Sequence, residues 1–185
     1  MKSNSSRSST QKLVFAGLLA AMTAVATLLI VIPTPTKGYI NLGDCFVNIG
    51  AWLMGPVYGT AAAATGSAMA DLIAGYGIYA PATFVIKGLM ALASYAVFSG
   101  LKNSGRKKLS PILAALIAEI VMVAGYAIYE SILYGSFATA LTGVPSNAIQ
   151  GIGNIVIAEV LYAGIIGKCV PAGLKKLGRH SGRNI

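Results

Sequence analysis

The carboxylates of this chain are few, and their positions are unusual. Asp44, Asp71, Glu119, Glu130 and Glu159 are its five acidic residues, and each lies in or beside a hydrophobic stretch. An ionised side chain in the middle of a bilayer costs about 3 kcal/mol or more unless it is paired or hydrated, and such residues mark ion paths, proton relays or ligand contacts. Lys87 shares this apolar setting, as do the amides Asn147, Gln150 and Asn154. The three amides are offset by three and then four positions, which puts them on one face of a helix. Amides donate and accept hydrogen bonds at once, and tyrosines such as Tyr39 and Tyr126 offer flat apolar faces. That combination suits the recognition of a flat, polar heterocycle better than the breaking of bonds.

Residues for other chemistry are missing from the sequence. The single histidine, His180, lies in a basic C-terminal stretch, so no histidine is placed to act as a base or metal ligand within an apolar segment. Cys45 and Cys169 are expected at opposite membrane faces, about 30 Å apart, too far for a disulfide. No phosphate-binding glycine loop or dinucleotide fingerprint occurs. The sequence therefore predicts a non-enzyme that needs no cofactor and no metal and does not itself hydrolyse ATP.

These side chains need a scaffold, and the composition indicates a membrane-embedded one. Of 185 residues, 56% are hydrophobic and 10% charged, with a mean hydropathy of +0.73. A soluble domain carries roughly 25% charged residues. The net charge of +9 sits in blocks: Lys2, Arg7 and Lys12; Lys102, Arg106, Lys107 and Lys108; Lys168, Lys175, Lys176, Arg179 and Arg183. Only Lys37 and Lys87 fall outside them. Blocks of this kind collect on the cytoplasmic side. No basic face interleaved with aromatics is present, which argues against a nucleic-acid partner.

Six helical segments are expected, over about 12–32, 44–55, 57–74, 81–101, 110–134 and 145–170, with both termini cytoplasmic. Residues 1–11 and 171–185 are read as tails, and 12–170 as one all-α, multi-pass domain in the cell membrane. Pro33-Thr34-Pro35 ends the first segment, and Gly55-Pro56 separates the second from the third. This topology places Asp44, Asp71, Lys87, Glu130, Asn147, Gln150 and Asn154 in the outer half, Lys87 about 9 Å deep. Tyr39, Trp52, Tyr76, Tyr79, Phe84, Tyr126 and Tyr129 stand at similar or neighbouring depth. The group predicts an outward-facing pocket formed by Tyr39, Asp44, Asp71, Lys87, Tyr126, Glu130, Asn147, Gln150 and Asn154. Plainer roles compete with it. Asp44 could be an N-cap, Asp71 could pair with Lys87 across a turn, and Glu119 and Glu159 could bond between helices. A stand-alone secondary transporter or channel would use Asp71, Glu119 and Glu159 as an ion path.

Ala16, Ala20 and Ala24 recur every four residues on the first segment, with Gly17 and Ala21 adjoining. Small residues at this spacing admit close approach of another helix, either from this chain or from a partner.

Four stretches carry a family resemblance: Gly38-Tyr39-Ile40-Asn41-Leu42-Gly43-Asp44, Met69-Ala70-Asp71-Leu72-Ile73-Ala74-Gly75-Tyr76, Tyr79 to Leu89, and Val144-Pro145-Ser146-Asn147-Ala148-Ile149-Gln150. Together they resemble the S components of energy-coupling factor (ECF) vitamin transporters, in the branch spanning riboflavin, pyridoxine and hydroxymethylpyrimidine carriers. The resemblance covers about residues 16–170. It implies a six-helix bundle binding a B vitamin or precursor near the outer face, under a lid formed by residues 33–43. It also implies docking through Ala16, Ala20 and Ala24 on a transmembrane coupling protein, two cytoplasmic ATPases, and delivery by toppling of the whole subunit in the lipid bilayer. The dense set of amides and carboxylates favours a compact pyridine or pyrimidine, pyridoxine or hydroxymethylpyrimidine, over riboflavin.

Overall fold

The computed structural model describes residues 3–106 and 108–166. Among these the architecture is helical: α1 (Ser3–Leu29), α2 (Gly43–Ile73), α3 (Ala80–Asn103), α4 (Ser110–Leu133), the short α5 (Phe137–Leu141) and α6 (Val144–Val160). A π-helical turn, Leu161–Ile166, extends α6. Lys107, Cys169, His180, the expected end of the last segment at Val170 and the basic tail lie outside the described residues.

Among the described residues, three helices are long and apolar enough to cross a membrane: Ser9–Leu29, Ala80–Asn103 and Ser110–Leu133. Their outward faces carry large exposed hydrophobic side chains such as Leu13, Val85 and Ile132. The interior is built from small residues. Ala51, Ala91, Ala114, Ala115, Ala118 and Ala158 pack with Val47, Met90 and Met122. Alanine lets backbones approach closely, which is how helices associate where lipid removes the hydrophobic drive.

The stretch α2 is a helical hairpin rather than a rod. Gly55 adopts φ 78°, ψ −172°, and Pro56 follows it. A positive φ is freely open only to glycine, and proline cannot donate across the break. A side-chain carbon on Gly59 would sit 2.7 Å from the Gly50 carbonyl oxygen, so the two halves touch nine residues apart. In a straight helix Asp44 and Asp71 would be separated by about 40 Å. Here the fold-back returns both to the same end of the bundle. The segments expected on either side of Gly55-Pro56 thus correspond to the two arms of one element.

Two departures from expectation occur near the N-terminal helix. Its backbone is helical from Ser3, so the stretch expected as a tail continues the helix. It also stops at Leu29, because Ile32–Pro33 enters a two-stranded antiparallel ribbon with Tyr39–Ile40, in the stretch expected to be loop from Pro33. Lys37 turns the ribbon with φ 57°, and Thr34 N–H donates to the Gly38 carbonyl at 2.9 Å.

Candidate functional site

The ribbon lies over the end of the bundle at which α2 starts and finishes. Beneath it Gly38, Tyr39, Asn41, Asp71, Tyr79, Thr83, Tyr126, Glu130, Asn147 and Gln150 line a small cavity. The space within it is about 20 Å³, the room a single water needs. Six of the nine residues expected to bind a ligand are in this lining: Tyr39, Asp71, Tyr126, Glu130, Asn147 and Gln150.

A phenol stands beside each cavity carboxylate. Tyr39 Oη donates to Asp71 Oδ1 at 2.5 Å, while Tyr79 Oη, whose one proton goes to the Thr36 carbonyl, lies 3.4 Å from Glu130 Oε1. Burial first, and then the neighbouring Asp71, push the Tyr39 phenol well above its usual range, so it remains a donor. The second oxygens, Asp71 Oδ2 and Glu130 Oε2, have no hydrogen-bond partner among the described residues. Thr83 stands beside Asp71 and Thr36 beside Glu130. Either oxygen can be the donor in the bonds that Thr83 makes with Tyr126 at 2.9 Å and Thr36 with Thr34 at 3.2 Å, so both threonine hydroxyls can also turn toward these carboxylates. Glu130 Oε2 borders Gly143, where a side-chain carbon would sit 2.8 Å away.

Under the cavity lies a charged layer. Lys87 donates to Asp44 Oδ1 in a short ion pair, with residue exposures of 2% and 0%. Lys87 Nζ also sits 5.5 Å from the centre of the Tyr126 ring. Two expectations are corrected here. Asp44 is not an N-cap: Leu42 holds that position without a side-chain cap. Lys87 does not pair with Asp71, because the hairpin brings Asp44 opposite α3 instead. Asp44 and Lys87 therefore support the cavity from below and are not part of its lining.

Asn154 was also expected in the pocket, but it anchors the loop. Its Nδ2 donates to the Asn41 carbonyl at 2.9 Å, and its Oδ1 accepts from Cys45 N–H at 3.0 Å. Gln150 spans both layers. Its Oε1 accepts from Asn41 N–H at 2.9 Å, and its Nε2 donates to Asp44 Oδ2 at 2.6 Å. The tip of the loop is latched as well: Tyr79 and Tyr134 both donate to the Thr36 carbonyl, at 2.5 and 2.6 Å.

A third layer lies deeper. Asn48 Nδ2 donates to Glu119 Oε1 at 3.4 Å, and Asn48 Oδ1 accepts from Ser94 at 2.6 Å. Glu119 thus does bond between helices. It also borders an apolar groove of about 450 Å³ between α4 and α6. Trp52 Nε1 donates to Ser94 at 2.9 Å and stacks on Phe98, with ring centres 5.3 Å apart. Trp52 therefore belongs to the far end of the bundle, and Phe84 is 48% exposed on the outer surface, so neither walls the cavity. Glu159 Oε1 has no partner among the described residues.

Sequence reasoning missed Gly38, Asn41 and Thr83, and gave Tyr79 no specific role. Thr83 lies four residues before Lys87, on the same face of α3, and that spacing was a usable signal. Asn41 contributes mainly backbone groups, which composition cannot reveal.

On α1, Ala16 is buried within this chain, and Ala20 presents its backbone to Gly66 of α2, where a side-chain carbon would clash with the Ala20 carbonyl. Ala24 is half-buried. Gly17 and Ala21, beside them, face outward.

A family profile described as ECF-type riboflavin transporter, S component, matches residues 7–166. A protein of Pyrococcus woesei, described only as an uncharacterized protein in the gap 3′ region, is 37% identical over 134 residues, covering 72% of this chain and 86% of that one. Among solved structures, the S component of a bacterial ECF transporter superposes with a TM-score of 0.66 at 21% identity, over 86% of this chain and 97% of the other. At that identity the superposition speaks for the fold, and the family profile for the kinship. The chain belongs to the S-component family of ECF-type riboflavin transporters, substrate-binding subunits of membrane transporters rather than enzymes.

Proposed function

We propose that this protein captures a B vitamin or vitamin precursor outside the cell and hands it to an ATP-driven ECF module. One observation carries the reading: side chains from the ribbon, both arms of α2, α3, α4 and α6 meet in or directly beneath one small polar cavity. The chain crosses the cell membrane six times, counting the arms of α2 separately, with both termini in the cytoplasm. Its cavity opens outward, and the loop of residues 33–43 is the lid. The 20 Å³ of space there is far smaller than any vitamin, so binding requires the lid to move and its latches at Thr36 and Asn41 to release. Delivery follows by toppling against a transmembrane coupling protein whose two cytoplasmic ATPases supply the energy.

The ligand favoured by this lining is a single ring, pyridoxine or hydroxymethylpyrimidine. Paired donors and acceptors lie close together there, and Tyr39 and Tyr126 stand ready to cover a flat face. Riboflavin is the second reading, supported by the description of the matching family. A thermal-shift panel of B vitamins on the purified protein, followed by uptake into vesicles with and without an ECF module, tests the proposal. Stabilisation by a small heterocycle and uptake that requires ATP are expected. Absence of any stabilising heterocycle would defeat the capture role. Uptake that needs no ATPase would point instead to a stand-alone transporter.

A further inference from the structure

We infer that the ligand carries a positively charged nitrogen, held between Asp71 and Glu130, and that carboxylate-bearing vitamins are excluded. The inference rests on the capture role above and narrows its substrate class. Asp71 and Glu130 are 4% and 2% exposed, and both line the cavity. In each, one oxygen has a tyrosine hydroxyl beside it, 2.5 Å away at Asp71 and 3.4 Å at Glu130, and the other has no hydrogen-bond partner among the described residues. A buried acceptor left unsatisfied is costly, and more so when it is charged. Two such acceptors in one lining call for donors from the ligand.

Charge accounting points the same way. Asp44, Asp71, Glu119 and Glu130 are buried in and below the site, and Lys87 is the one buried lysine among the described residues. Lys87 is committed to Asp44 in the layer below and contributes no donor to the cavity wall. All the other lining residues are uncharged. A cationic ligand supplies the missing counter-charge, whereas a carboxylate would enter a low-dielectric space already rich in negative groups. Hydroxyl donors alone would satisfy the lone pairs but would supply no counter-charge to an ionised carboxylate.

The test uses ligands that share a ring and differ in one substituent. Pyridoxamine, pyridoxine and 4-pyridoxate carry an ammonium, a hydroxyl and a carboxylate. The aminomethyl, hydroxymethyl and carboxylate forms of 4-amino-2-methylpyrimidine make a second series. Riboflavin, biotin and pantothenate complete the panel. Binding to the full-length protein in detergent at pH 7 is read by calorimetry. Within whichever series binds, the ammonium form is expected to be tightest, with at least a tenfold gap to the carboxylate. Asp71→Asn and Glu130→Gln should each shrink that gap tenfold while leaving the ligand-free melting temperature close to the parent's. If a neutral or carboxylate member binds as tightly as the ammonium form, or riboflavin outranks both series, the charge inference is overturned while vitamin capture stands. If the folded protein binds nothing in the panel, both fall.

Discussion

Gln150 Nε2 donates to Asp44 Oδ2 at 2.6 Å, joining α6 to the first turn of α2. The same side chain accepts from the Asn41 backbone N–H. One amide therefore couples the buried ion pair beneath the cavity to the loop above it. Replacing Gln150 by alanine leaves a charged oxygen and a backbone donor without partners. We expect Gln150→Ala to lower stability by about 3 kcal/mol and to weaken ligand binding at least tenfold. Thermal melts and calorimetry in detergent would measure both, and an unchanged melt would show that the loop and ion pair do not depend on this amide.

The ion pair itself should behave as a buried unit. Removing one partner of such a pair typically costs about 3–5 kcal/mol, whereas removing both is far milder. Lys87→Met should be strongly destabilising because it strands Asp44. Adding Asp44→Asn to Lys87→Met should recover a large part of the loss. A double-mutant cycle on melting temperatures checks this, and simple additivity of the two changes would contradict the pairing.

The latch at the loop tip is read best through kinetics. Tyr79 and Tyr134 both donate to the Thr36 carbonyl. Each such bond contributes about 1 kcal/mol net. The Tyr79→Phe, Tyr134→Phe double variant is expected to release ligand about tenfold faster, as measured by chase with unlabelled ligand. An unaltered off-rate would mean that the loop tip does not control release.

Adjacent positions on α1 should separate folding from assembly. Ala20 faces Gly66 within this chain, while Ala21 faces outward. Ala20→Trp is therefore expected to lower the melting temperature and ligand binding together. Ala21→Trp should leave both intact and block assembly with an ECF module in pull-down. Normal assembly of Ala21→Trp would move the docking surface off this side of α1.

Much of the site could be read from local spacing. Asn147, Gln150 and Asn154 were placed on one face by their offsets. What spacing could not give was which long-range neighbour each residue meets. Asp71 was the expected partner for Lys87, and the sharp reversal at Gly55 sets Asp44 there instead. The ribbon at 32–40 is too short to show a strand period, and the loop groups of Asn41 act through the backbone. On α1, Ala20 of the alanine repeat lies against Gly66, but periodicity alone does not say whether the neighbour of such a repeat is internal or external.

The polar thread below the ion pair has an optical consequence. Trp52 is the chain's single tryptophan, and its indole N–H reaches Ser94, which in turn bonds Asn48 beside Asp44 and Glu119. Indole emission shifts colour with the local electric field. A rearrangement of charge under the cavity is thus relayed to a native fluorophore near the opposite end of the bundle, so occupancy can be followed spectroscopically in the unlabelled protein.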